Sequence, residues 1–301
     1  MSGWLAFGSA LLVWPGLLGG AALGWLCAWI QRKLAARLQG RKGPPFYQPF
    51  FDFVKLLGKE TVAPGGVNRR LLFGLPLISA AAAVCAISLI PVPGNPMPSF
   101  AGDLIVLLYL LEMPALCEVL AGYTSRSLYG QVGSAREAIL WLAYNVPFLA
   151  GVLSLGIQAK SLTLAALAAV PFGPVHVAAL IAFLFALPGH LKRNPFSIPD
   201  AEQEIVAGPF TEYSGAPLAC FEMAHGLELV ALVSLFTVLF LPVGRGLVRW
   251  PVYFVGSGAL VAVITVVATA TARLTVRHAF RFYWSWGACA ALVALVMAGV
   301  W

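Results

Sequence analysis

Long apolar runs alternate with polar breaks along this chain. Eight runs stand out, at roughly residues 3–30, 71–92, 102–121, 136–159, 162–187, 215–241, 251–272 and 282–301. Each approaches or exceeds the ~20 apolar residues that carry a helix across a hydrocarbon core of about 30 Å. The pattern predicts an all-α membrane protein with about eight transmembrane helices, forming a single integral membrane domain over residues 1–301. Pro15, Pro114 and Pro147 fall inside runs, which membrane helices tolerate where their neighbours re-satisfy the backbone. Two breaks are long, 31–70 and 188–214. In the first, aromatic and aliphatic residues recur near helical spacing after Pro49, with Asp52, Lys55, Lys59 and Glu60 between them. That spacing predicts a short amphipathic helix lying in the membrane interface.

Composition points to the same solvent. Hydrophobic residues make up 60% of the 301 and charged residues 10%, against roughly 45–50% and 25% in soluble domains. The net charge of +7 raises nucleic-acid binding, but the bases sit between apolar runs, as membrane topology requires. With eight crossings, the breaks on one side carry 16 Lys and Arg and those on the other carry three. The positive-inside rule then places both long breaks in the cytoplasm and both termini outside, in a multi-pass protein of the plasma or inner membrane. The first run reads as a span rather than a signal peptide: no charge precedes it, it is too long, and bases follow it.

The five cysteines (Cys27, Cys85, Cys117, Cys220 and Cys289) are isolated within or beside apolar runs. They read as small buried hydrophobes, without metal-ligand spacing. No nucleophile elbow, P-loop, dinucleotide fingerprint or zinc helix occurs. The expectation is a chain with no metal, no bound cofactor and no catalytic residue of its own.

Carboxylates inside apolar runs are the candidate chemistry. Glu112 and Glu118 lie in the third run, Glu137 begins the fourth, and Glu222 and Glu228 lie in the sixth with His225 between them. An ionised carboxylate at mid-bilayer costs about 2.5–3.5 kcal/mol even on a lenient scale, so such residues face the interior and are functional by default. Glu222, His225 and Glu228 step by about 300° each, so neighbours in the series share a helix face. They read as a carboxylate–imidazole–carboxylate series on an ion path, facing Glu112, Glu118 and Glu137; a packed, static trio is the alternative.

Two polar loops supply the other candidates. Four of the twelve acids, Asp200, Glu202, Glu204 and Glu212, fall within thirteen residues beside Tyr213. The same segment carries Phe196, Ile198, Ile205, Val206 and Phe210, which a fully solvated loop would not. A folded acidic funnel against a partner or the membrane is the expectation. In the first loop Arg41, Gln48, Asp52, Lys55 and Glu60 are candidate residues of a docking platform for a soluble partner, or of a plain membrane-surface anchor.

The runs R-K-G-P-P-F-Y-Q-P-F-F-D-F-V-K-L-L-G-K-E and P-F-S-I-P-D-A-E-Q-E-I-V-A-G-P-F-T-E-Y-S-G resemble the two signature regions of subunit 1 of respiratory complex I. They equally resemble its homologue in energy-converting, membrane-bound [NiFe] hydrogenases. The likeness covers nearly the whole chain. It implies a subunit that anchors a soluble arm of iron–sulfur and catalytic subunits: hydrogenase large and small subunits with a [NiFe] centre, or their complex I counterparts. It also implies antiporter-like membrane partners that move protons or sodium, and a five-helix unit in helices two to six. Three features lean toward the hydrogenase branch. Gly43-Pro44-Pro45 runs almost directly into Gln48-Pro49; Gly133-Ser134-Ala135-Arg136-Glu137-Ala138 is similar to the hydrogenase form; and Tyr144-Asn145-Val146 lacks the glutamate usual in complex I. Gln31, Ser197 and His225 depart from the family pattern, so neither its proton path nor its quinone site carries over position by position. A stand-alone secondary transporter would leave the acidic loop unexplained.

Overall fold

The computed structural model describes residues 3–241 and 246–300, with the side chains of Trp4 and Glu202 outside the description. All regular structure among the described residues is helical. In chain order the helices are α1 (Gly3–Leu12), α2 (Leu17–Leu38), α3 (Gln48–Leu57), α4 (Arg69–Leu89), α5 (Asp103–Thr124), α6 (Leu128–Ala159), α7 (Leu164–Ala169), α8 (Pro174–His190), α9 (Glu202–Ile205), α10 (Gly215–Phe240), α11 (Arg249–Ala270), α12 (Val276–Phe282) and α13 (Ala288–Val300).

Among the described residues, seven helical stretches are long and apolar enough to cross a bilayer: Leu5–Leu38, Arg69–Leu89, Asp103–Thr124, Leu128–Ala159, Gly215–Phe240, Arg249–Ala270 and Val276–Val300. The run expected at 162–187 differs. Pro171, Gly173 and Pro174 break it into α7 and a 17-residue α8, about 25 Å long at 1.5 Å per residue. The first run differs in the opposite sense. Pro15 interrupts it between α1 and α2, and α2 then continues to Leu38, well past the expected boundary at 30. Gln31, Arg32, Lys33 and Arg37 are good helix formers, so polarity ends the apolar run without ending the helix. α6 also extends beyond its apolar run, beginning at Leu128 rather than 136. Asn68 starts α4 by accepting the Arg70 N–H at 3.0 Å.

Lipid supplies no hydrophobic drive between helices, so close packing of small residues must hold them together. α10 is central, packed on α2, α4 and α11 with most of its length buried. It crosses α2 at Gly24 and Gly226, where a Cβ on Gly24 would come within 3.0 Å of the Gly226 carbonyl oxygen. α6 lies against α5, α8 and α13. The main core gathers Ile87, Leu104, Phe148, Phe183, Leu232 and their neighbours.

The two long loops fold onto this bundle. α3 forms where the spacing after Pro49 predicts a helix. It sets Phe50 and Phe53 against Trp25 of α2, at centroid distances of 5.0 and 5.7 Å, and leaves Phe51, Val54 and Leu57 exposed. The segment from Leu191 to Ser214 is anchored by its apolar residues. Phe196 packs on Tyr283 at 4.7 Å and Phe210 on Phe221 at 4.9 Å. Ile198 and Ile205 are buried, whereas Val206, grouped with them on sequence, is 55% exposed at the C-terminal end of α9. Gly208 has φ +52°, and a Cβ there would collide with the Pro199 carbonyl. Only glycine closes this turn without strain.

Candidate functional site

α5, α6, α8 and α10 converge on one buried set of charges. α5 brings Glu112 and Glu118, α6 brings Glu137, α10 brings His225 and Glu228, and the C-terminal end of α8 brings His190 and, just beyond it, Lys192. Lys192 takes a left-handed φ of +50° as the chain leaves the helix. Its Nζ reaches Glu118 in a short ion pair and Glu137 Oε1 at 3.5 Å. His190 bridges α5 and α10, with Nε2 at 3.5 Å from Glu112 and Nδ1 at 3.2 Å from Glu228. His225 Nδ1 lies 3.5 Å from the second oxygen of Glu118. The indole of Trp141 and the amide of Asn145, 2.8 Å away, donate to Glu112. Glu118, Glu137, Glu228, His190 and Lys192 are all buried.

Charge does not balance in this cluster. Four carboxylates face one lysine and two imidazoles. Neither oxygen of Glu137 has a hydrogen-bond partner, nor has Oε1 of Glu112 or of Glu118. Buried carboxylates left without donors are costly, and closely spaced acids titrate as a group rather than singly. Burial works against the Lys192 ammonium, but the facing carboxylates of Glu118, Glu137 and Glu228 more than offset it and hold the amine above the ordinary lysine range. Its charge is therefore the fixed one.

The series expected on α10 divides. Glu228 meets His190 and His225 meets Glu118, but Glu222 points elsewhere. Two steps of 300° turn it about 120° away from Glu228. It lines a cavity of about 510 Å³ with Gln31, Arg32, Arg193, Asn194 and His225. There Arg193 donates to the side-chain amide oxygen Oε1 of Gln31 at 2.8 Å.

Of the loop acids, Asp200 lies close enough to Lys192 and Arg193 to contribute to the field at both, and its Oδ1 is buried without a hydrogen-bond partner. Glu204 pairs with Arg136 at 2.6 Å near the surface. Glu212 is half-buried, Tyr213 is buried against Phe221, and the Glu202 side chain is outside the described residues. Burial pushes the Tyr213 phenol above its ordinary range. In the first loop Asp52 accepts from Arg32 at 2.6 Å and from Gln48 at 2.8 Å, while Arg41, Lys55 and Glu60 are exposed. Partial burial pushes the Asp52 carboxyl up, but Arg32 and Gln48 more than offset this and hold it below the usual carboxylate range. The two loops meet where Val62 N–H donates to Ser214 Oγ at 3.0 Å.

Sequence reasoning missed His190 and Lys192. On sequence Lys192 reads as a flanking base, and His190 closes an apolar run that ends in bases. The signal was available as a deficit: several carboxylates inside spans need cations, and these are the ones at the end of the fifth run. Among the described residues, no group of three or more His, Cys, Asp or Glu side chains is placed to hold a metal ion.

The family model described as NADH dehydrogenase matches residues 12–299. The H subunit of the NADH-quinone oxidoreductase of Syntrophotalea carbinolica is 34% identical over 232 residues, 70% of this chain and 70% of that protein. Hydrogenase-4 component C of Escherichia coli K12 is 35% identical over 227 residues, 72% of this chain and 70% of that one. Among solved structures, a chain of the membrane-bound sulfane sulfur reductase, described as an archaeal respiratory membrane complex, superposes with a TM-score of 0.88 at 27% identity. The likeness covers 97% of this chain and 99% of that one.

Proposed function

Because the chain belongs to the NADH dehydrogenase family, we propose that it is the anchor and coupling subunit of a hydrogenase-type complex, docking a soluble arm and linking electron transfer there to proton or sodium movement. The protein is a multi-pass membrane subunit of a complex I-like or hydrogenase-like respiratory complex. The reading adds iron–sulfur and [NiFe] subunits docked on the two long loops, antiporter-like membrane partners, an eighth crossing by α8, α3 at the membrane interface, and both termini outside.

The buried, under-compensated cluster around Lys192 and His190 carries the reading. It begins beneath the 191–214 loop, where Asp200 faces Lys192, and extends between α5 and α10 through Glu118 and His225 and through Glu112, His190 and Glu228. A charge arriving in a partner against the loop acts on these groups through a poorly screening interior. At an effective dielectric of ~20, a unit charge 4 Å away is worth about 4 kcal/mol, roughly a thousandfold in a protonation equilibrium. Carboxylates lacking donors are the groups that answer such a field by changing their proton count. His190, in contact with acids on two helices, is the link through which a proton shift on Glu228 reaches Glu112.

The test replaces titration without changing shape. In Glu118→Gln and Glu228→Gln, the complex is expected to assemble and keep electron transfer, while ion translocation per electron in sealed vesicles falls by roughly tenfold or more. Unchanged translocation per electron in both variants would refute the role. A second reading, the quinone-cavity subunit of a respiratory NADH:quinone oxidoreductase, draws on the cavity lined by Gln31, Arg193 and Glu222 and on the NADH-quinone oxidoreductase relatives. The mass of the intact solubilised complex separates the two, through a [NiFe] large subunit or a flavin subunit.

A further inference from the structure

At the opposite end of the bundle a second polar feature stands apart from the acidic cluster. The break between α7 and α8 opens a groove of about 660 Å³ against the C-terminal end of α10 and the start of α11. Its walls are apolar, formed by Val170, Phe172, Val238, Leu239 and Phe240, and two nitrogen-bearing side chains line it, His176 and Arg249. His176 is 2% exposed, and its Nδ1 is buried without a hydrogen-bond partner. Phe172, 65% exposed, packs its ring 5.6 Å from the imidazole. Arg249 donates to the Pro91 carbonyl at 3.3 Å, and among the described residues no carboxylate lies within ion-pair distance of it. α8 begins here at Pro174 without a side-chain cap, so its first-turn N–H groups and the positive end of its dipole also face this region.

The level of the groove in the membrane can be read from its neighbours. Trp250 follows Arg249 directly and packs on Trp14 at 5.7 Å, and the Trp14 indole donates to the Pro93 carbonyl at 2.9 Å. Tryptophans held in this way mark the boundary between hydrocarbon and headgroups. An arginine, an unpartnered buried imidazole and a bare helix start thus sit at headgroup depth above an apolar trough. A ligand that fits has an anionic, hydrogen-bond-accepting head and an apolar tail.

We propose that this groove binds an anionic phospholipid, with its phosphate between Arg249, His176 and the start of α8 and an acyl chain along Phe172, Val238 and Phe240. The source is the surrounding bilayer. Free phosphate shares the head chemistry but leaves the apolar walls unused.

The experiment uses the whole complex containing this subunit, stripped of lipid in detergent. Phosphatidylglycerol, phosphatidylcholine and inorganic phosphate are added separately, with bound lipid read by native mass spectrometry and stability by thermal melting. Phosphatidylglycerol is expected to bind and raise the melting temperature, and the other two are expected to do neither at equal concentration. Arg249→Gln and His176→Leu are each expected to weaken that binding about tenfold, the scale of one lost charge-assisted contact. Phe172→Ala, at an exposed position that threatens no core, is expected to weaken it by a smaller factor and serves if the other two fail to assemble. Equal phosphatidylglycerol binding in the assembled variants would overturn the proposal. So would protection by phosphate alone, which marks a free-anion site. Loss of a neighbouring subunit with lipid unchanged would mark a protein interface and would also overturn it.

Discussion

Lys192 with Glu137, 3.5 Å apart, and Arg32 with Asp52, 2.6 Å apart, are contacts of one chemical kind in opposite surroundings. The first pair is almost wholly enclosed, with side-chain exposures of 2% and 0%. The second is half in solvent, at 50% and 39%. The shorter contact is the weaker one. Water and salt screen an exposed pair to roughly 0–1 kcal/mol. Removing one partner of a buried pair leaves a charge that nothing solvates, at a cost of about 3–5 kcal/mol. Environment, more than distance, decides which contact can carry a signal. A screened pair answers only its nearest neighbours, whereas the enclosed network couples α5, α6, α8 and α10 through one field.

The largest expected effect follows from this contrast. Lys192→Met keeps the side chain's bulk and removes the charge that faces Glu118 and Glu137. A loss of about 3–5 kcal/mol is expected, read as a sharp drop in melting temperature or in the yield of assembled complex. Adding Glu118→Gln to the lysine variant removes one of the stranded charges and is expected to recover part of the loss. A Lys192→Met protein as stable as an Asp52→Asn protein would show that the buried groups are not held as an ion-paired network, and the contrast between the two pairs would collapse.

The legible and illegible parts of this protein divide along a physical line. Apolar runs are long-range averages, and they located the seven helical stretches that, among the described residues, are long and apolar enough to cross. They did not locate helix ends, because Arg32 and Arg37 end a hydrophobic average without ending α2. Nor did they foresee the break at Pro171–Pro174, since a run rich in Ala and Leu masks a two-proline interruption. At the site, the intramembrane acids were conspicuous because charge is scarce in this chain. Their cations were not, because His190 and Lys192 lie where an apolar run meets a basic loop, and bases there are what topology alone produces. Only the fold of the 191–214 segment shows that Lys192 turns back into the bundle while Arg193, its neighbour, lines a cavity. The separation of Glu222 from Glu228 was already present in the helical angle, as two steps that each look small but add.

A middle-sized effect tests whether backbone geometry, as distinct from charge, holds the acidic loop over the cluster. Gly208→Ala leaves every charge in place. It forces an alanine into φ +52° and drives its Cβ into the Pro199 carbonyl. Strain of this kind costs of order 1–3 kcal/mol. The expected result is faster proteolysis within residues 199–214, with a melting temperature between those of wild type and Lys192→Met. Unchanged proteolysis would show that the turn tolerates the side chain and that the loop is held by Phe196 and Phe210 alone.

The smallest effect belongs to the exposed pair, and its pH dependence gives the sharpest form of the contrast. Asp52 is held below the ordinary carboxylate range in the folded protein, because Arg32 and Gln48 outweigh its partial burial. A carboxyl depressed on folding binds its proton less readily folded than unfolded. Its contribution is therefore fully present above the ordinary carboxylate value of about 3.9, and is lost as pH falls through the lower folded value. At neutral pH, Asp52→Asn is expected to reduce hydrogen-exchange protection of α3 by no more than about 1 kcal/mol, and the difference is expected to shrink in high salt as the Debye length contracts. On acidification below about pH 4, wild type is expected to lose that protection progressively, while Asp52→Asn is not. Identical acid profiles would mean that α3 is held on α2 by the Trp25 contacts with Phe50 and Phe53 alone, and that the Arg32–Asp52 pair contributes nothing to its stability.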